Sequence, residues 1–348
     1  MQETFTGRRL IFGVLLHFPE NSRTLLIFMK QTFQMLLFSV FLSLASVGAG
    51  AQEKTVIQMA DPAIFYYDGT YYLYGTGDNE AQKGFKVYTS KDKINWDDAG
   101  MALKKEDVFG LSRFWAPQVF RYQNKFYMAY AADEQIAIAE SDHPKGPFTQ
   151  KVKQAIKAPV RMIDPFVFFD SGKIYLYHVR LDKGNRIYVT EMSSDLLSLK
   201  EETTRACIHA SEPWENTSAA QWTVTEGPSV LKKGKVYYLV YAANDFRNPD
   251  YAVGYAVSSH PYGPWKKYKG NPILSKWQTG ENGSGHGDFF EDAQGKLNYV
   301  FHTHESNTKA NGKRRTAIVL MGFLEGNRQT GKLRPYQDTF RFLMREAK

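Results

Sequence analysis

Cysteine is nearly absent from this sequence, since Cys207 is the only one among 348 residues. A single cysteine excludes a disulfide framework within the chain and a zinc site built from several cysteines. Charged residues make up 23% and hydrophobic residues 43% of the chain, values that exclude disorder, collagen and coiled coil for most of its length. Aromatic residues are abundant instead, at 15%, and they favour β-strands.

A clustered basic surface is also missing. The net charge is +8, but the lysines and arginines are scattered along the chain, and the one compact run is Lys313-Arg314-Arg315. Proteins that bind nucleic acids carry a basic stripe or patch. The charge pattern therefore argues against a nucleic-acid partner.

No apolar run reaches the length of a comfortable membrane span, and the longest lies near the N-terminus at residues 35–47. Lys30 precedes this run and Ala49-Gly50-Ala51 follows it. A basic residue, a short apolar run and a small-residue site together predict a secretory signal peptide. We expect cleavage between Ala51 and Gln52, with an uncleaved anchor helix as the alternative.

The predicted organisation is an N-terminal extension plus signal peptide over residues 1–51, then a mature domain over residues 52–348. Met29-Lys30 is a natural start for the signal peptide. Residues 1–28 are therefore either upstream sequence or an unusually long leading region. The expected location is secreted or periplasmic, without stable membrane insertion, and we expect the protein to be a monomer.

The mature chain repeats one pattern five times: a proline-containing or polar start, an apolar strand, a turn with Gly or Asn, and a Tyr-rich strand. The copies begin at Asp61-Pro62, Ala116-Pro117, Asp164-Pro165, Gly227-Pro228 and Gly287-Asp288. Each copy is followed by a third strand and by room for a fourth. Four strands at a period near 50 residues are typical of a propeller blade. The sequence therefore predicts an all-β fold, a single five-bladed β-propeller with four antiparallel strands per blade.

The starts of the predicted inner strands carry unlike residues, although a purely structural repeat would carry similar ones. They carry Asp61, Ala116, Asp164, Glu226 and His286. In a propeller these positions meet at one mouth of the central channel. Carboxyl groups held together in a partly dry cleft acquire separated pKa values. One group then stays protonated while another is ionised, as general acid and general base chemistry on an acetal requires.

The motifs around these residues resemble those of glycoside hydrolase family 43. They read Ala60-Asp61-Pro62, Trp115-Ala116-Pro117, Ile163-Asp164-Pro165, Thr225-Glu226-Gly227-Pro228 and Gly285-His286-Gly287, in order along the mature chain. The resemblance implies an inverting hydrolase on a five-bladed propeller. It implies that Asp61 is the general base, that Glu226 is the general acid, and that Asp164 raises the pKa of the acid. The two reacting carboxyls would then lie about 6.5–9.5 Å apart, which leaves room for a water.

Three further residues are expected to bind the substrate. We expect Trp115 to form an apolar wall against a sugar ring. The resemblance implies that His286 faces the channel and that Arg315, with Arg314 as the alternative, binds hydroxyl groups. No cofactor is required for the chemistry. The resemblance also suggests a calcium or sodium ion in the channel, which His286 would contact through water because calcium prefers oxygen ligands.

The expected substrates are plant polysaccharides or oligosaccharides. The preferred activity is that of an exo-acting α-L-arabinofuranosidase or β-D-xylosidase, and an endo-arabinanase of the same family is the alternative. The long segment from Glu201 to Trp222 would favour a pocket, and hence exo action, if it closes one side of the channel. A non-catalytic sugar-binding propeller would have lost an acid, and none is lost. The related retaining sucrose and fructan hydrolases fit less well, because blade 1 lacks their Asp-Pro-Asn start.

Overall fold

The computed structural model describes residues 53–77, 83–310, 312–324 and 331–347. The predicted signal peptide and the rest of residues 1–51 lie outside these described residues. Within the described ranges, regular structure consists of twenty-one β-strands and three short helical turns, Lys105–Asp107, Pro213–Glu215 and α1 (Lys276–Thr279). No helix among these residues has the length and hydrophobicity needed to cross a bilayer.

Five antiparallel blades follow one another along the chain, as the repeat predicts. Blade 1 contains β2 (Ala60–Tyr67), β3 (Thr70–Thr76), β4 (Gly84–Ser90) and β5 (Asn95–Lys104). Blade 2 contains β6 (Trp115–Tyr122), β7 (Lys125–Ala132) and β8 (Gln135–Ser141). Blade 3 contains β9 (Met162–Asp170), β10 (Lys173–Leu181), β11 (Asn185–Met192) and β12 (Leu199–Ile208). Blade 4 contains β13 (Thr225–Lys233), β14 (Val236–Ala243), β15 (Ala252–Ser258) and β16 (Lys266–Lys267). Blade 5 contains β17 (Gly285–Glu291), β18 (Leu297–Thr303), β19 (Arg315–Leu324) and β20 (Lys332–Phe342).

Blade 2 departs from the predicted four strands. Its sheet has three strands, and its outer edge is reduced to an isolated antiparallel bridge between Glu140 and Thr149. The segment between those residues contains Pro144 and Pro147. Proline has no backbone N–H and cannot extend a ladder of hydrogen bonds. The fourth strand of this blade is therefore shortened to one pairing.

Tyrosines of the second strands connect neighbouring blades. The side chains of Tyr74 and Tyr177 are fully buried. The hydroxyl of Tyr74 donates to the carbonyl of Pro144, and that of Tyr177 donates to the carbonyl of Pro261 at 2.5 Å. Each hydrogen bond connects one blade to the His-Pro turn of the next. The tyrosine ring packs in the apolar core while its hydroxyl group has a hydrogen-bond partner.

The two ends of the described domain close the ring. The strand β21 (Met344–Glu346) pairs antiparallel with β1 (Lys54–Val56) and parallel with β5 of blade 1. The chain reaches β21 directly from β20, the outer strand of blade 5. The C-terminus thus links blade 5 to blade 1. This closure has no local signature in the repeat.

Every inner strand contains a β-bulge where it begins at the channel mouth. The residues with positive φ at these bulges are Asp61 (47°), Ala116 (46°), Asp164 (54°), Gly227 (58°) and His286 (39°). Left-handed backbone is unfavourable for residues with a Cβ atom and tends to occur at functional sites. In blade 4 the equivalent position is Gly227, so Glu226 lies one residue before it rather than at the same repeat position as Asp61 and Asp164.

Candidate active site

A cavity of about 350 Å³ opens at the mouth of the channel, a volume typical of small-ligand sites. It brings together five of the predicted residues, which are Asp61, Asp164, Glu226, Trp115 and His286. It is also lined by residues without a predicted role, which are Thr76, Ile163, Asn185, Trp222, Val224, Asp245, Phe246 and Arg247, and by Arg314. Loops from several blades therefore surround the three carboxyls.

Asp61 is surrounded by groups that favour its ionised form. The hydroxyl of Thr76 donates to Asp61 Oδ2 at 2.7 Å, and Nδ1 of His286 lies 3.3 Å from Oδ1. Burial alone would raise the pKa of Asp61, but the attraction of His286 and Arg314 and the bond from Thr76 outweigh it and lower the pKa to about 2. Asp61 is therefore an anion at neutral pH, as a general base must be.

His302 lies behind Asp61 and fixes its backbone. The amide nitrogen of Asp61 donates to His302 Nδ1 at 3.0 Å. His302 is fully buried, and burial lowers its pKa well below the usual value. A neutral ring whose Nδ1 accepts a hydrogen bond carries its proton on Nε2. The contact with Asp61 is therefore a neutral hydrogen bond rather than an ion pair.

Asp164 lies between the other two acids. Its Oδ2 accepts a hydrogen bond from the backbone nitrogen of Gly227 at 3.1 Å and lies 3.9 Å from His286 Nδ1. Burial, followed by the negative charge of Asp61, raises the pKa of Asp164 to about 7. A Cβ atom on Gly227 would come within 2.7 Å of the His286 ring. Glycine is therefore required for this close approach of blades 3, 4 and 5.

Glu226 is held by hydrogen bonds to both carboxyl oxygens. The hydroxyl of Tyr251 donates to Oε1 and the side-chain nitrogen of Asn185 donates to Oε2, each at 2.8 Å. Burial, and then the neighbouring charge of Asp164, raises the pKa of Glu226 to about 7. Asp61 and Glu226 thus have pKa values moved in opposite directions within one cavity, which suits a base and an acid.

Trp115 is half-buried at the start of β6. It lines the cavity and also packs against the core formed between blades 2, 3 and 4. The guanidinium of Arg113 lies 5.9 Å from its ring centre. Trp115 therefore forms part of the apolar wall of the cavity and also packs against the core.

The two candidate arginines have different surroundings. Arg315 points away from the cavity, where it forms a salt bridge with Glu281 and donates to the carbonyl of His304 at 2.9 Å. Arg314 lines the cavity, and its guanidinium lies 5.0 Å from the ring centre of Phe246. The two side chains differ because β19 begins at Arg315 and alternate residues near a strand end face opposite sides. Which of the two arginines binds substrate hydroxyl groups stays a prediction.

A second cavity of about 20 Å³ lies deeper in the channel, lined by Gln118, Asp288 and the inner faces of Asp61, Asp164 and His286, among others. This volume suits one water molecule. Asp288 accepts hydrogen bonds from Ser229 Oγ and from the amide of Phe289, both at 2.7 Å. Burial raises its pKa to about 6 despite these bonds. Asp288 is thus an additional, partly buried acid on the channel wall.

The described residues contain no cluster of three or more His, Cys, Asp or Glu side chains arranged to hold a metal ion. Calcium prefers six to eight oxygen ligands, so this donor set does not fit a directly coordinated calcium. The contact of His286 with a hydrated ion stays a prediction.

Comparison with known proteins identifies the family of this chain. The profile of Glycosyl hydrolases family 43 matches residues 55–327. The crystal structure of an endo-1,4-beta-xylanase from Bacteroides thetaiotaomicron VPI-5482 is 40% identical, with a TM-score of 0.78 over 85% of this chain and 99% of that one. Xylosidase/arabinosidase 43A from Humicola insolens is 29% identical over 65% of this chain and 84% of its own length. An extracellular exo-alpha-(1->5)-L-arabinofuranosidase, ArbA from Cellvibrio japonicus, is 23% identical over 56% of this chain and 60% of its own length.

The family match covers blades 1 to 4 and the first three strands of blade 5, and it includes the three carboxyls, whose surroundings suit acid and base chemistry. A hydrolase of this family acts on a carbohydrate. The chain therefore belongs to glycosyl hydrolase family 43 and is a glycoside hydrolase.

Proposed function

We propose that this enzyme removes α-L-arabinofuranosyl or β-D-xylosyl units from plant polysaccharides or oligosaccharides, with inversion at the anomeric carbon. One observation carries the mechanism: a carboxyl with a lowered pKa and a carboxyl with a raised pKa share one cavity. A single-displacement hydrolysis needs both an ionised base and a protonated acid.

In the proposed mechanism, Glu226 transfers its proton to the glycosidic oxygen as the bond to the anomeric carbon breaks. Asp61 accepts a proton from a water molecule, and the hydroxide equivalent attacks the anomeric carbon from the opposite face. Asp164 stays close to Glu226 through its bond to the amide of Gly227. When Asp164 is ionised, its charge favours the protonated form of Glu226 before reaction.

The walls of the cavity support exo action. Trp222, at the end of the segment before blade 4, lines one side, and Phe246 and Arg247 of the loop after β14 line another. Both Trp115 and Trp222 offer apolar surface for the C–H faces of a sugar ring. The names of two similar proteins, a xylosidase/arabinosidase and an exo-arabinofuranosidase, support pentose substrates.

Endo action is the second candidate, because the relative from Bacteroides thetaiotaomicron is named an endo-xylanase. Incubation with linear arabinan and with xylan separates the two. Exo action should release single pentoses while viscosity falls slowly, whereas endo action should lower viscosity before monosaccharide accumulates. Nitrophenyl α-L-arabinofuranoside and nitrophenyl β-D-xyloside, assayed side by side, would identify the preferred sugar.

Stereochemistry tests the mechanism itself. Proton NMR of the first product should show the anomer opposite to that of the substrate. A covalent glycosyl-enzyme trapped during turnover would instead demonstrate a retaining mechanism and refute the assigned roles of Asp61 and Glu226.

Export completes the proposal. It is supported by the apolar run at residues 35–47 and the Ala49-Gly50-Ala51 site, and a similar protein is extracellular by name. N-terminal sequencing of the protein from its native cell should begin near Gln52. An uncleaved protein retained in the cytoplasm would rule this out.

A further inference from the structure

Asn185 bridges a cavity-wall tryptophan and the acid Glu226. Its Oδ1 accepts a hydrogen bond from Trp222 Nε1 at 2.9 Å, while its Nδ2 donates to Glu226 Oε2 at 2.8 Å. An indole nitrogen can only donate, so the oxygen of the Asn185 amide must face Trp222. The nitrogen of that amide must then face Glu226. Trp222 therefore fixes which group Asn185 presents to the acid.

The backbone of Asn185 is fastened to the segment that leads into blade 4. Its amide nitrogen donates to the carbonyl of Thr223 at 2.8 Å, and its carbonyl accepts from Thr225 Oγ1 at 3.1 Å. Both contacts lie within three residues of Glu226 along the chain. The distance between Asn185 and the acid is thus set by backbone pairing rather than by side-chain freedom.

Glu215, which is fully buried, anchors the segment that carries Trp222. The Glu215 carboxylate accepts from Lys267 Nζ and Tyr241 Oη, both at 2.6 Å. Asn216 adds a reciprocal pair of bonds with the backbone of Ala220, two residues before Trp222. The indole is therefore preorganised, although 49% of its surface is exposed.

The position of Trp222 relative to the three acids identifies which part of a substrate it meets. An inverting acid protonates the leaving group, and the base lies on the opposite face of the sugar. Trp222 reaches the acid through a single side chain, whereas Asp61 is surrounded by Thr76, His286 and His302. The exposed indole thus lies on the leaving-group side of the cavity.

We propose that Trp222 is the platform for the leaving-group sugar and that Asn185 is a positioning residue that couples this platform to Glu226. This inference rests on the proposed role of Glu226 as the acid. The ligand class is a second sugar ring whose C–H face packs on the indole. Binding there stabilises the arrangement in which Asn185 holds the acid against the glycosidic oxygen, so a sugar leaving group is favoured over a small alcohol.

Three substrates that share one glycosyl group separate these roles. An oligosaccharide needs both a proton and the platform. A methyl glycoside needs the proton but has no ring for the platform. A dinitrophenyl glycoside needs no proton, because its leaving group is already a stable anion. For each variant we would measure kcat/KM on all three substrates across pH, with melting temperature as the check on folding.

Asn185→Ala should lower kcat/KM about 10- to 100-fold on the oligosaccharide and the methyl glycoside, which is the range expected when a reacting group is misplaced. The dinitrophenyl glycoside should change less than about threefold. Loss of a donor to the carboxylate also disfavours ionisation of Glu226, so the basic limb should move to higher pH. Equal losses on all three substrates with unchanged pH limbs would overturn the positioning role.

Trp222→Phe keeps an aromatic face but loses the N–H, so it should reproduce the Asn185→Ala pattern more weakly. Trp222→Ala should add a further loss of about tenfold on the oligosaccharide alone. Trp277→Ala is the matched control, because Trp277 is 83% exposed and does not line the cavity. If Trp222→Ala and Trp277→Ala give the same oligosaccharide kinetics, the platform is refuted.

Glu226→Ala in the same assay distinguishes failure of the inference from failure of the proposed function. If Glu226→Ala spares the dinitrophenyl glycoside but Asn185→Ala affects no substrate, Glu226 remains the acid and only the coupling is wrong. If Glu226→Ala depresses all three substrates equally, the acid assignment falls and the inference falls with it.

Discussion

The backbone nitrogen of Gly227 donates to Asp164 Oδ2 over 3.1 Å, so the carboxyl of blade 3 is held beside the peptide that follows Glu226. The backbone therefore fixes the distance at which the negative charge of Asp164 raises the pKa of Glu226. Burial is the first cause of the raised pKa of Glu226, and the Asp164 charge is the second.

Replacing Asp164 with Asn tests this relationship. The substitution removes a negative charge that disfavours ionisation of Glu226, so the pKa of Glu226 should fall. The acid must be protonated to act, and the basic limb of the kcat/KM profile should therefore move to lower pH, with activity at neutral pH reduced. An unchanged basic limb in a folded variant would contradict the assigned role of Asp164.

Replacing Glu226 or Asp61 with Ala should give different dependences on the leaving group. Without Glu226, a natural sugar leaving group should suffer by about 10²–10⁴-fold, because proton donation contributes that much. A dinitrophenyl group should suffer far less. Without Asp61, both substrates should lose at least about 10²-fold, because every substrate needs an activated water. Near-normal turnover by Asp61→Ala would place the base elsewhere.

The five blades and the trio at the channel mouth are accessible to sequence reasoning because their signals are local. The first hairpins of blades 1 to 4 combine a two-residue turn with apolar and aromatic strand residues, as in the pairing of Tyr67 with Thr70 across Asp68-Gly69. The hairpin of blade 5 has a longer loop between Glu291 and Leu297. The acids stand where the inner strands begin, with Asp61 and Asp164 at the same repeat position and Glu226 one residue earlier. Closure by β1 and β21 has no such signal, since it joins residues at opposite ends of the described domain.

The supporting residues were missed for a related reason. Thr76, Asn185 and Tyr251 come from the ends of second and third strands or from loops, where the repeat has no fixed residue. Asn185 is 41 positions before Glu226, and the pairing depends on how two blades pack. The sequence does not show which of Arg314 and Arg315 faces the cavity, because side-chain alternation depends on where β19 begins.

Thr76 should control the base. Its hydroxyl donates to Asp61 Oδ2 at 2.7 Å and accepts from the amide of Ala116 at 2.9 Å. Thr76→Val removes a bond that lowers the pKa of Asp61, so the acidic limb of kcat/KM should move to higher pH. It also leaves the buried Ala116 amide unpaired, which costs about 1–3 kcal/mol of folding free energy. Thr76→Ser retains the hydroxyl and should restore both properties, and failure of this rescue would exclude the hydrogen bond as the cause.

Arg314 and Arg315 should separate catalysis from stability. Arg314 lines the cavity and helps to lower the pKa of Asp61. Arg314→Met should therefore reduce kcat/KM and move the acidic limb of its pH profile to higher pH. Arg315→Met breaks the salt bridge to Glu281 and the bond to the His304 carbonyl, so it should lower the melting temperature with a smaller effect on kcat/KM. The reverse pattern in the two variants would indicate that Arg315, rather than Arg314, binds the substrate.

Asp288 should make the protein less stable as pH rises. Burial, only partly offset by the bonds from Ser229 and Phe289, raises its pKa in the folded protein from 3.8 to about 6. Between these values the folded state binds more protons than the unfolded state, so the free energy of unfolding decreases as pH rises through that window and the penalty is complete above about pH 6.

Asp288→Asn should remove this penalty, because its amide oxygen can still accept both hydrogen bonds while no charge forms in the channel. At about 1.4 kcal/mol per pKa unit, the gain above pH 6 is bounded near 3 kcal/mol. Because Asp288 is only partly buried, solvent screening of its charge reduces this gain to about 1–2 kcal/mol. Denaturant unfolding at pH 4 and at pH 7.5 provides the measurement. The variant should match the unmodified protein at pH 4 and exceed it at pH 7.5, and a constant difference at both values would show that the charge of Asp288 is not responsible.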